Sequence, residues 1–281
     1  MECSVIPDAR GTVNGESFDS TSRKSLRHIM NSFESFTERS ILSIVGAGGK
    51  TSLLFYLAEV LPWNCLVTTT TKVGRDQISS ADRIVSFSEF LATPDHFSGD
   101  KIVWVSPAPE QDYPKVKGFD PAQFSEFAEA ARKIRMPILV EADGAHRLHL
   151  KAPAENEPVV PAESDHILDV VGLDVIGLTI SERTVHRLSQ FLKITGYREG
   201  DIIDESVICR AILHPQGGFK NAPQGCCKIA VLNQADTAER IKHAENISNY
   251  LLKHGVDEVW ITSLDPETDK NKRGIIKELK K

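Results

Sequence analysis

Ile41-Leu42-Ser43-Ile44-Val45-Gly46-Ala47-Gly48-Gly49-Lys50-Thr51-Ser52 decides the fold. Its first five residues form a β-branched run of the kind that makes a buried strand. Three glycines within four residues follow, then Lys50, Thr51, Ser52 and an amphipathic stretch reaching Leu61. Glycines let a chain turn its N–H groups inward toward an anion without Cβ clashes. A helix that starts directly afterwards adds free N–H donors and a partial positive charge. The spacing therefore predicts a phosphate-binding loop between a strand and a helix.

In such a loop Lys50 neutralises the β- and γ-phosphates of a nucleoside triphosphate, and the Thr51 hydroxyl ligates Mg2+. Gly46, Ala47, Gly48, Gly49, Lys50, Thr51 and Ser52 are the expected nucleotide-binding residues, with Lys50 also catalytic. The standard pattern G-x-x-x-x-G-K-[ST] would start on Ile44, so this loop is two residues shorter. A G-x-x-G-K-T loop of that length resembles the one in Mur ligases. A dinucleotide loop of the G-x-G-x-x-G type fails twice. Thr51 stands where its third glycine belongs, and Thr69-Thr70-Thr71-Lys72 stands where the next strand would end in an acid.

Outward from the loop, short apolar runs alternate with longer amphipathic ones, as repeated βαβ units do. Strands are predicted over Ile41–Val45, Cys65–Thr69, Arg83–Phe87, Ile102–Ser106, Pro137–Glu141, Ile167–Val171, Lys228–Leu232 and Glu258–Thr262. Helices are predicted over Ser25–Phe36, Thr51–Leu61, Pro121–Arg135 and Ala238–His254. The expected fold class is α/β, a P-loop NTPase-like three-layer fold with a mostly parallel sheet. Residues 1–24 read as a flexible tail. Residues 25–281 read as one domain carrying a mainly helical insertion around 181–225. The basic residues near the C-terminus, Lys270 to Lys281, read as a solvated helix.

Three further strand ends carry polar clusters on the edge where open parallel sheets bind ligands. Pro137-Ile138-Leu139-Val140-Glu141-Ala142-Asp143-Gly144 looks like a Walker B strand. Glu141 and Asp143 are two apart and share a side in extended geometry. A cation between them relieves their repulsion. Asp143 is the expected Mg2+ ligand, with Glu141 and Asp143 both catalytic candidates. Thr70 is a second metal-ligand candidate, and Lys72 a candidate for the γ-phosphate. Arg147 and Lys151 are candidates for an anion, and His146, His186 and Arg187 are suggestive without being specific.

Asn233-Gln234-Ala235-Asp236 approximates the N-K-x-D guanine motif, so Asn233 and Asp236 are candidates for reading the base. Gln234 replaces the lysine that would lie along it. Helix capping by Asp236 or Thr237 is the competing explanation. Thr262-Ser263-Leu264 falls where such proteins place a loop touching the guanine oxygen. ATP and GTP both remain open.

Composition limits the alternatives. The chain has 281 residues, 41% hydrophobic and 26% charged, the balance of an ordinary globular protein. A formal net charge of −6 argues against nucleic-acid binding. No run is long and apolar enough to span a bilayer, since Asp169 and Asp174 interrupt the most apolar stretch, Ile167–Ile180. Five cysteines without C-x-x-C spacing fit a reducing compartment. Cys226-Cys227 reads as small apolar residues entering a strand. With no apolar segment near Met1 that would serve as a signal peptide, the expected location is cytoplasmic.

Taken together, these motifs resemble the selenium-dependent hydroxylase accessory proteins (YqeC-like). That family carries V-G-A-G-G-K-T, T-T-T-T-K, E-A-D-G, L-K-A-P-A-E-x-E-P-V-I-P, V-V-G-L-D and N-K-x-D. Here they stand as Val45–Thr51, Thr68–Lys72, Glu141–Gly144, Leu150–Pro161, Val171–Asp174 and Asn233–Asp236. Gln234 departs from the family's lysine and Ser52 from its second threonine. The resemblance implies a role in maturing selenium-containing molybdenum hydroxylases, with a hydroxylase or its cofactor-maturation proteins as partner. It leaves open an NTP-hydrolysing or phosphoryl-transferring enzyme and a nucleotide-dependent chaperone or switch.

Overall fold

The computed structural model describes residues 12–13, 16–17, 33, 35–97, 99–107, 115–144, 148–264 and 273–281. The chain divides into two units, Met1–Thr37 and Glu38–Lys281. In the first, Thr12–Val13 pairs antiparallel with Glu16–Ser17, and Phe33 stacks on Phe36 at 5.6 Å. Most of the expected tail, and almost all of the helix expected over Ser25–Phe36, lie outside the described residues.

The second unit is built on a nine-stranded sheet. In chain order its strands are β1 (Ile41–Gly46), β2 (Cys65–Thr69), β3 (Arg83–Ser86), β4 (Ile102–Ser106) and β5 (Ile138–Glu141). They continue as β6 (His166–Gly172), β7 (Cys227–Asn233), β8 (Glu258–Ser263) and β9 (Gly274–Lys280). The spatial order is β9-β8-β7-β6-β1-β5-β2-β4-β3. All neighbours are parallel except β8 and β9. The strand order reverses at β1, which lies between β5 and β6, and ligands of open α/β sheets bind beyond the strand ends at such a point.

Strands buried on both faces read as continuous apolar runs, which is why the sequence patterns of β1, β2, β4 and β5 were legible. Ile41, Ile138, Leu66 and Val103 lie in register and face α2 (Phe87–Ala92) and α3 (Pro121–Ile134). There Phe87, Phe90, Phe119, Phe124 and Phe127 interlock, mostly edge to face. Ala230, Leu232, Val259 and Ile261 face α5 (Glu205–Leu213) and α6 (Ala238–Lys253). Ile44, Glu141 and Thr69, also in register, point to the opposite face. That face is covered by α1 (Lys50–Val60).

Local chemistry explains the helix starts. Asp120 caps α3 by accepting from the Gln123 N–H at 3.0 Å, with Pro121 as the first helical residue. Thr237 caps α6 by accepting from the Arg240 N–H at 3.2 Å. Ser86 and Glu89 form a capping box that starts α2, a short helix whose first residue, Phe87, was expected to end a strand.

The C-terminal basic stretch is a correction. Gly274–Lys280 forms an antiparallel edge strand on β8, where a solvated helix was expected. An uncovered β8 would leave a row of unpaired backbone groups, and pairing satisfies them. Lys277 and Lys280 suit an edge strand, where charge discourages further pairing. Residues 181–225 contain α4 (Leu188–Thr195) and α5, followed by an irregular stretch over 214–225. Cys226 and Cys227 are free, with burial raising their thiols to about 12 and about 11. Among the described residues no helix is long and apolar enough to cross a membrane.

Candidate functional site

β1 ends at Gly46 and α1 begins at Lys50, so the glycine loop turns directly over the sheet edge. Gly46, Gly48 and Gly49 have φ of +91°, +83° and +122°, which only glycine adopts without strain. Space is equally tight. A Cβ on Gly48 would sit 2.4 Å from the Gly172 nitrogen, and one on Gly46 would sit 2.3 Å from the Val170 carbonyl oxygen.

The loop amides are already engaged, which differs from the sequence reading. Gly46 N–H donates to Asp143 Oδ2 at 3.0 Å, Ala47 N–H to Val170 O at 2.7 Å and Gly48 N–H to Leu148 O at 3.1 Å. The donors at the helix start are different. Lys50, Thr51 and Ser52 open α1, and its N-cap, Gly49, has no side chain to accept from them.

Behind the loop lies a buried charge network. Lys50 is 6% exposed. Its ammonium donates to Gly46 O at 2.9 Å and lies 3.3 Å from Asp143 Oδ1 and 3.9 Å from Glu141 Oε1. The Thr51 hydroxyl donates to Glu141 Oε2 at 3.0 Å. Burial raises the Glu141 pKa, against the opposing pull of Lys50 and the Thr51 hydrogen bond.

Asp143 is held from the other side by Lys151, whose Nζ lies 2.8 Å from Asp143 Oδ2, 2.7 Å from Gly144 O and 3.2 Å from Glu157 Oε2. Those three acceptors use all three ammonium protons. Glu157 in turn takes a bidentate pair from Arg187 at 2.6 and 2.7 Å. Burial disfavours the Glu157 charge, but the hydrogen bonds and charges of Arg187 and Lys151 outweigh it and lower its pKa. Arg187, at the start of α4, thus reaches Gly46 through Glu157, Lys151 and Asp143.

Asp169, on β6, was not singled out as a site residue. It is 3% exposed and so close to Gly218 and Gly46 that a Cβ on either glycine would overlap its carboxyl. Burial, reinforced by the charge of Asp143, raises its pKa to about 8, although Lys151 and Lys50 pull it down. A carboxyl inside an apolar strand run was the only sequence signal for it.

The threonines at and just beyond the end of β2 are tied to neighbouring segments. Thr69 Oγ1 donates to Glu141 O at 2.8 Å, and Thr70 Oγ1 donates to Val159 O at 2.7 Å. Thr71 shares a 3.3 Å hydroxyl contact with Thr69, while Lys72 is exposed beyond the strand. Ser52 is half-buried in the first turn of α1. His146 and Arg147 lie outside the described residues. His186 pairs with Lys151 in a short parallel ladder.

Asn233 and Asp236 are held by different partners. Asn233 is buried; its Nδ2 donates to Gly48 O at 2.8 Å, and its Oδ1 accepts from Thr262 at 2.9 Å. It ties the glycine loop to β8. Asp236 is exposed, with Oδ1 accepting from the Ser263 hydroxyl at 2.5 Å. The helix cap belongs to Thr237, which leaves the Asp236 carboxylate free of that duty. Among the described residues no group of three or more His, Cys, Asp or Glu side chains is arranged to hold a metal ion.

A mostly parallel sheet flanked by helices, with a glycine loop and a Lys-Thr helix start where the strand order reverses, defines a P-loop NTPase-like three-layer α/β protein. The chain belongs to the YqeC family. The family described as YqeC protein matches residues 42–189. The chain is also 35% identical over 226 residues to "Uncharacterized protein YqeC" of Escherichia coli (strain K12), an alignment covering 79% of this chain and 86% of that relative.

Proposed function

We propose that this protein binds ATP or GTP with Mg2+ and hydrolyses it, in the service of maturing selenium-dependent molybdenum hydroxylases in the cytoplasm. The observation that carries the nucleotide half is the 3.0 Å hydrogen bond from Thr51 to Glu141. It brings the hydroxyl of the loop helix and the acid of the neighbouring strand together beside Lys50. The hydroxylase half rests on the family resemblance.

Thr51 and Glu141 fit Mg2+, a hard cation that takes one or two protein oxygens and keeps several waters. Such a site needs no cluster of three carboxylates. This revises the ligand set expected from sequence, which was Thr51, Thr70 and Asp143. Asp143 is engaged by the Gly46 amide and two lysines, so a divalent cation there would have to displace an ammonium. The Thr70 hydroxyl is directed at Val159 O. When bound, Mg2+ would neutralise charge on the phosphates.

The chain's own groups do the rest. The first-turn amides of α1 and the Lys50 ammonium receive the phosphates. Asp143 orients Lys50 and the Gly46 amide, and Lys72 supplies an exposed cation beyond β2. The engaged amides of Gly46, Ala47 and Gly48 favour a second reading. A loop satisfied by its own protein suits a switch that opens when a partner docks. Steady-state phosphate release tests both readings. Activity of the isolated protein with MgATP or MgGTP, lost in Glu141→Gln, supports the enzyme. Activity only with an apo-hydroxylase present supports the switch. No phosphate release and no nucleotide binding under either condition would overturn both.

A further inference from the structure

Gln234 stands where the N-K-x-D pattern has a lysine, and the structure turns its side chain away from that role. Its backbone is left-handed, with φ +61°. Its Oε1 is buried with no hydrogen bond and lies 2.3 Å from where a Cβ on Gly172 would be. The amide therefore packs into the flank of the loop, beside His149 and Asp174, which are themselves close to Gly172.

Arg240, on α6, contacts this turn. Arg240 Nη1 donates to the backbone carbonyl of Gln234 at 3.3 Å and lies 3.5 Å from Asp236 Oδ2. The Arg240 side chain is about one-third exposed. His149 has its pKa raised by the Asp174 hydrogen bond, against burial and the nearby positive charge of Arg240. The guanidinium thus contacts both the Gln234 carbonyl and the Asp236 carboxylate.

We infer that Arg240 stacks on the nucleotide base in place of the missing lysine and sets the affinity for purine nucleotides. This deepens the nucleotide reading above and rests on it. A planar guanidinium stacks on aromatic faces, which an ammonium cannot do as well. Asp236, fixed by Ser263, faces the edge of the base while Arg240 covers its face. The simpler explanation is an exposed i,i+4 ion pair with little energetic consequence. That explanation predicts no effect specific to the base.

The test compares GTP and ATP with tripolyphosphate, which carries the phosphates and no base, all with Mg2+. Calorimetric titration of the wild type, Arg240→Leu and Arg240→Lys gives the affinities. Arg240→Leu should weaken the better-bound purine nucleotide roughly tenfold and leave tripolyphosphate unchanged. Arg240→Lys, which restores charge without a plane, should fall between. Equal losses for nucleotide and tripolyphosphate would reduce Arg240 to a general positive charge and overturn the inference. So would an unchanged nucleotide affinity. A wild type that binds tripolyphosphate and nucleotide equally removes the base site alone. One that binds none of the three removes the nucleotide reading and this inference with it.

Discussion

The side chain of Asn233, at the end of β7, donates to the carbonyl oxygen of Gly48 at 2.8 Å, across 185 positions of sequence. The same side chain accepts from Thr262 on β8 at 2.9 Å. Asn233→Ala would leave the Gly48 carbonyl and the Thr262 hydroxyl buried without partners. Each such group costs about 1–3 kcal/mol. Urea unfolding should show that loss. Asn233→Asp should be at least as damaging at neutral pH, because a carboxylate accepts from Thr262 but repels the Gly48 carbonyl. A wild-type midpoint for both variants would show that the latch is energetically idle.

Gly48 and Gly177 separate two costs that usually come together. Both are left-handed, at φ +83° and +86°, but a Cβ on Gly177 meets nothing within 4 Å. Gly177→Ala should cost only backbone strain, about 1–2 kcal/mol. Gly48→Ala adds an overlap with the backbone of Gly172, and should cost more and displace the loop. Equal thermal shifts for the two variants would contradict the packing described.

Asp169 makes stability depend on pH in a defined direction. Its folded pKa, about 8, lies above the unfolded value of about 3.9. Between those values the folded state keeps a proton that the unfolded chain has lost. Stability from this group therefore falls as pH rises from about 4 to about 8. Asp169→Asn is neutral throughout and removes that slope. The unfolding free energy of the variant should gain on the wild type steadily from pH 5 to pH 8. Parallel curves would mean that Asp169 is ionised in the folded protein.

Much of this was legible in the sequence because parallel strands are continuous apolar runs. β2 and β4 coincide with their predicted limits, and β1, β5 and β7 differ only at their ends. The edge strand β9 was not legible. Ile275, Ile276 and Leu279 fit a helical face as well as a strand, and pairing with β8 decides between them. The glycine loop and its Lys-Thr helix start were legible because their local chemistry is unusual. The network of Asp143, Lys151, Glu157 and Arg187 was not. Its members come from three separated segments, and only the fold brings them to one carboxylate. Asn233 was picked out by its place in a motif, and its bonds to Gly48 and Thr262 were not legible, since motif spacing does not specify them.

Nucleotide binding through Lys50 is the central claim, and titration calorimetry tests it most directly. MgGTP and MgATP are titrated into the wild type and into Lys50→Ala, with circular dichroism showing that both are folded. The account predicts saturable binding of at least one nucleotide by the wild type and a loss of 100-fold or more in the variant, roughly the 3 kcal/mol of a charge-assisted phosphate contact. Equal affinities in two folded proteins, or no binding by the wild type of either nucleotide, would contradict it.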